Sequence, residues 1–135
     1  MKVITIMPEY GGCYAWLKQQ DDGTTLVGGG IGDTGSGFEF SEFWISPGLE
    51  QAFADWMGNW GGNIDDPEAD WPAFHSRGIE LAHRLKEQLG DQVRVIYHMA
   101  WEDPAHVITE RTEVLPNCGL KPISVRRWSE PKGAG

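Results

Sequence analysis

Residues 70–101, DWPAFHSRGIELAHRLKEQLGDQVRVIYHMAW, constrain the fold more than any other stretch, because they read as a long helix followed at once by a buried strand. Trp71, Phe74, Gly78, Leu81, Ala82, Leu85 and Leu89 recur at steps of three and four and make one helical face apolar. Arg77, Glu80, Arg84, Lys86, Glu87 and Gln88 fall away from that face, which therefore needs a sheet to lie on. Asp70 is placed to cap the helix, Pro72 sits in the first turn where its missing N–H does no harm, and Gly90 suits the left-handed position beyond the last turn. Val93, Val95 and Tyr97 then alternate with Arg94, Ile96 and His98, and the β-branched enrichment predicts a strand entering the core after a short turn.

The rest of the chain supplies partners for this unit. Residues 2–7, KVITIM, form a β-prone run ended by Pro8 and Gly11-Gly12. Residues 13–19 and 24–27 flank Asp21-Asp22-Gly23, a strong short-range hairpin signal. Six of the ten residues from Gly28 to Gly37 are glycine, but no lysine, no GKS/T ending and no following helix accompanies them, so a flexible hairpin loop is expected rather than a phosphate cradle. Phe38 to Ile45 reads as a strand with an aromatic face. Ser46-Pro47 opens a helix with a stripe of Leu49, Phe53, Trp56, Met57 and Trp60, ending at Gly58 or at Gly61-Gly62. The acidic, turn-rich residues 61–70 form a loop. Beyond the central strand, a turn at Trp101-Glu102-Asp103-Pro104 leads to a return strand over His106–Leu115, a turn at Pro116–Gly119, and an edge strand over Ile123–Trp128 carrying Arg126 and Arg127. The expectation is a single α+β domain over residues 1–128, a mostly antiparallel β-sheet with two helices packed on one face, and a loose tail over residues 129–135.

A chain of 135 residues can bury a core without disulfide or metal staples. Cys13 and Cys118 have no CxxC or Cys/His spacing and are expected to be two reduced thiols, a single disulfide being the other option. No run has the length of a signal-peptide core or a membrane span, so a cytoplasmic protein is expected, with no membrane partner. Charge is distributed unevenly. The net charge is −9, and between Gln19 and Ser76 lie eleven acids and no lysine or arginine, whereas the remainder nearly balances. A nucleic-acid partner needs a basic footprint, and this chain has the opposite.

No arrangement of residue types announces catalysis. His75, His83, His98 and His106 show no HExxH or HxH spacing, so neither metal nor cofactor is expected. His98, Glu102, Asp103 and His106 crowd one turn, but sequence proximity alone does not hold two groups at a reacting atom. Cys13 lacks a neighbouring base and no serine lies in GxSxG, so no enzyme is expected. The seven tryptophans are mostly core candidates, yet Trp56 and Trp60 flank the acidic stretch and Trp71 follows it. An aromatic anchor among carboxylates suits a surface that seizes a basic protein.

This make-up resembles the small acidic immunity proteins of bacterial toxin systems, including those that neutralise contact-dependent growth inhibition nucleases. The resemblance is one of general character, carried by a single strongly acidic, Trp- and Gly-rich α+β domain without catalytic motifs. It implies a non-enzymatic inhibitor that binds a basic toxin domain, its carboxylates standing in for nucleic-acid phosphates. Residue roles come from this chain alone: the expected binding surface is Asp65, Asp66, Glu68 and Asp70 of the acidic loop, with Asp55 and Trp60 from the preceding helix. The alternative is a small metabolite-binding domain or enzyme using the Gly28–Gly37 loop and the His98–His106 turn. A monomer or homodimer is expected, and a third possibility is a homodimeric structural domain pairing through its exposed edge strand.

Overall fold

The computed structural model describes residues 2–21, 24–25, 29–107 and 109–124. Strand β1 (Lys2–Ile6) pairs antiparallel with β2 (Cys13–Asp21), whose other edge takes two short strands, β3 (Thr24–Thr25) and β4 (Gly30–Asp33). Helices α1 (Pro47–Asn63) and α2 (Trp71–Leu89) follow, then β5 (Val93–Tyr97), β6 (Glu110–Val114) and β7 (Leu120–Ser124). The strands lie in the order β3-β2-β1-β5-β6-β7, with β4 also on β2. Only β1 and β5 run parallel, with Ile4 opposite Val95, and every other described pairing is antiparallel. The result is the small α+β domain expected from the sequence.

Local chemistry sets both helices. Ser46 Oγ accepts from Leu49 N at 3.3 Å and Pro47 opens α1, whose buried residues Leu49, Phe53, Trp56, Met57 and Trp60 fall on one stripe. The glycines at 58, 61 and 62 do not stop it; it runs to Asn63. Asp70 Oδ1 caps α2 by accepting from Ala73 N at 3.0 Å. At the far end Gly90 takes φ +72°, and Lys86 Nζ donates to Gly90 O at 3.0 Å and Val93 O at 2.7 Å, closing the turn into β5. Gly78 lets the helix approach closely: a Cβ there would lie 2.5 Å from Tyr97 Cε1 and 2.7 Å from Trp56 Cζ2.

The core lies between the helices and one sheet face. Ile4, Ile6, Val93, Val95, Tyr97 and Val114 meet Leu49, Phe53, Trp56, Phe74, Leu81 and Leu85 there, with Trp56 stacked on Phe74 at 4.7 Å between ring centroids. Val3 and Ile96 alternate to the opposite face, which also carries a two-bond ion pair between Arg94 and Glu113.

Three expected elements differ. Phe38–Ile45 is not a strand but a series of turns, because side chains claim its backbone groups: Glu50 Oε2 accepts from Phe38 N at 2.7 Å, and Ser41 Oγ accepts from Phe43 N at 3.1 Å while bonding Phe38 O at 2.9 Å. Phe40 and Trp44 consequently stand exposed, at 86% and 74%. The return strand expected over His106–Leu115 is observed at Glu110–Val114, with Ile108 outside the described residues, and the next strand begins at Leu120 rather than Ile123. Arg126, Arg127 and the tail expected over residues 129–135 lie outside the described residues. Within the glycine-rich stretch, Gly30–Asp33 is strand β4 and Asp33 exchanges backbone hydrogen bonds with Gly37; Gly28 lies outside the described residues. Cys13 and Cys118 are both free thiols.

Candidate partner-binding face

Because β1 and β5 are parallel, they end side by side, and His98 N donates to Ile6 O at 2.9 Å just beyond both strands. Helix α2 runs back along β5, so its first turns and the α1–α2 connection reach the same end. The loops after β1, α1 and β5 therefore converge at the carboxyl ends of the two parallel strands.

Trp60 ties these loops together. Its Nε1–H donates to Glu102 Oε1 at 2.9 Å and its ring meets Tyr10 edge-on at 5.1 Å, leaving it only 6% exposed. The expectation of an exposed anchor at Trp60 is thus corrected: an indole can bury its area here because Glu102 satisfies its one donor. The exposed rings at this end belong instead to its neighbours, Tyr10 at 69% and Trp101 at 53%. Trp101 is held by stacking on His106 at 4.6 Å.

The acidic residues all face water. Asp55, on the outer side of α1, accepts from Gln51 Nε2 at 2.9 Å. In the α1–α2 connection Asp66 Oδ1 accepts from Glu68 N at 2.9 Å, Asp70 caps α2, and Asp65 and Glu68 are exposed. Among the described residues none of these five forms an ion pair. The ion pairs that do occur among the described residues are elsewhere: Lys2 with Glu42, Arg77 with Glu80, and Arg94 with Glu113. Arg77, the first base after the acidic loop in sequence, is thus already engaged at 2.8 Å. Among the described residues no cation of the chain pairs with the loop's four carboxylates, so water and salt screen them there.

The loop after β5 is anchored by a buried hydrogen-bonded chain that the sequence did not announce. His75 Nε2 lies 2.7 Å from Asp103 Oδ2 and His75 Nδ1 lies 2.6 Å from the Tyr97 hydroxyl, with all three residues buried. A carboxylate only accepts, so Nε2 carries the proton; in the neutral imidazole Nδ1 then accepts from the Tyr97 O–H. Asp103 Oδ1 also accepts from Ala105 N at 2.8 Å, so a single side chain fixes the loop to α2 and shapes its turn. Burial, with Asp103 nearby, holds the Tyr97 phenol well above its ordinary pKa. Each of these side-chain polar atoms has a partner inside the fold, as a structural clamp requires. The sequence signal was available: His75 follows Trp71 by four and lies on the apolar face of α2, and a polar ring on such a face needs a buried partner.

The residues of the alternative expectation are differently engaged. The Gly35 and Ser36 N–H groups both donate to Asp33 Oδ1 at 2.8 Å, and these bonds, Ser36's first, hold the Asp33 carboxyl below its usual range. His98 and His106 come within 4.9 Å of each other, but Asp103 turns to His75. Among the described residues no group of three or more His, Cys, Asp or Glu is placed to hold a metal ion, and no helix is long and apolar enough to cross a membrane. No family model, curated protein or solved structure matches the chain.

Proposed function

We propose that this chain is a non-enzymatic inhibitor of the immunity type, which binds a basic toxin domain through the end of the molecule where these loops converge. The observation that carries the proposal is the conjunction there of Asp65, Asp66, Glu68 and Asp70, exposed and without a basic partner among the described residues, with the exposed rings of Tyr10 and Trp101; Asp55, equally without one, lies further back on the outer side of α1. Unneutralised carboxylates raise the rate of encounter with a cationic surface and disfavour anionic competitors. Rigidly held aromatics then supply buried area at little entropic cost. Trp60 and Asp103 act from inside, Trp60 positioning Tyr10 and Glu102, Asp103 positioning the loop that carries Trp101. Fifteen kilodaltons and one face suit a one-to-one complex covering a nuclease's substrate-binding surface.

The test is calorimetric titration with a purified basic nuclease domain of a bacterial toxin, taken first from any toxin gene that adjoins this chain's own. A one-to-one complex is expected, weakening at least ten-fold between about 50 and 300 mM salt, since the Debye length that screens its charges shrinks from about 14 Å to about 6 Å over that range. Tyr10→Ala and Trp101→Ala should each cost about 1–3 kcal/mol of binding. No complex, or one indifferent to both salt and ring removal, would contradict the proposal.

A further inference from the structure

Next to this face, a cleft of about 310 Å³ opens between α2 and the β5–β6–β7 side of the sheet. Its walls divide into two chemistries. Ile79, Met99 and Val107 make an apolar side; Glu110, Thr112 and Ser124 contribute one carboxylate and two hydroxyls, with Glu110 and Ser124 paired across β6 and β7. His75 and Tyr97 also line the cleft, but their ring nitrogen and hydroxyl are already bonded to each other. Glu110 is exposed and forms no ion pair among the described residues. Arg111 also lines the cleft; in the alternation of β6 it falls with Glu113, on the other side of the strand from Glu110 and Thr112. The cleft thus carries one carboxylate, Glu110, beside two hydroxyls on the β6–β7 wall that Pro122 and Ile123 also line, facing the apolar side.

We infer that this cleft receives one basic side chain, arginine or lysine, from the same protein partner, an inference that rests on the proposed function. Charge complementarity selects the occupant: a long basic side chain can lay its methylenes on Ile79, Met99 and Val107 while its charged head reaches Glu110 and donates to the Thr112 and Ser124 hydroxyls. The volume lies at the small end of ligand cavities and suits one side chain. Position selects it too. The cleft shares Met99, Ala105 and Val107 with the loop that presents Trp101, so it is continuous with the acidic and aromatic face.

N-acetyl-arginine amide titrated into the full-length, ¹⁵N-labelled chain tests this directly, with N-acetyl-norleucine amide as the uncharged control. Saturable shifts are expected at the Met99, Glu110 and Thr112 amides, with norleucine amide weaker and Glu110→Gln reducing arginine affinity about three- to five-fold, as an exposed charge pair permits. Glu110 is exposed, so that variant keeps its fold. Absence of saturable shifts, equal binding of norleucine amide, or unchanged affinity in Glu110→Gln would overturn the inference. Such a failure leaves the acidic-loop electrostatics standing; conversely, a toxin domain that binds without salt dependence defeats the proposed function while the arginine titration stays interpretable.

Discussion

Asp103 ties the loop after β5 to α2 because it accepts from two donors in different parts of the chain, the buried His75 imidazole and the Ala105 N–H. Asp103→Ala leaves both without an acceptor and should destabilise the protein by about 2–4 kcal/mol in urea unfolding. Tyr97→Phe removes one bond from the same network and should cost about 1 kcal/mol, and the double variant should fall short of the sum because the pair shares His75. Glu113 contributes differently. Its hydrogen bonds from Arg94 hold its carboxyl below the ordinary value of 4.5, so the native state favours the ionised form. The stabilisation is fully present above the unfolded-state pKa and is lost as pH falls through the lower folded-state value. Glu113→Gln should therefore lose about 1–2 kcal/mol near neutrality and show a flatter decline of stability in acid, read from denaturation midpoints across the pH range. Neither partnership was legible in the sequence. Asp103 and His75, or Glu113 and Arg94, are far apart along the chain, and only the register of β5 with β6 and the packing of α2 bring them together.

At the scale of elements, α2 and β5 were readable because propensity, periodicity and both caps agree, and the packing has no reason to override them. Residues 38–45 were misread for the opposite reason. Their alternation of aromatic and polar residues mimics a strand, but Ser41 and Glu50 offer the backbone closer partners, and a residue twelve positions away is invisible to a local pattern. Glycine shows how packing decides the sign of a substitution. Gly78→Ala would press a methyl into Tyr97 and Trp56, and overpacking of about 1–3 kcal/mol should outweigh the gain in helix propensity. Gly58→Ala, on the open side of α1 with nothing within 4 Å, should instead raise stability by about 0.5–1 kcal/mol. Thermal unfolding of the two variants beside the parent checks both signs.

For the whole molecule, the charge asymmetry was visible in the sequence, but its consequence depended on folding. The carboxylates of residues 55–70 could have been answered by the bases of the second half; instead Arg77 and Arg94 pair with Glu80 and Glu113, and Lys86 turns to backbone carbonyls. The aromatic part of the expected surface shifted, with Trp60 becoming the internal post and Tyr10 and Trp101 the presented rings. The most direct measurement is stopped-flow association of the proposed basic toxin-domain partner with the parent and with an Asp65/Asp66/Glu68/Asp70→Lys variant at low salt. Association at least ten-fold slower is expected in the variant, with the two rates converging as salt rises. Equal rates at low salt, with unchanged affinity, would show that this end of the molecule is not the surface that meets the partner.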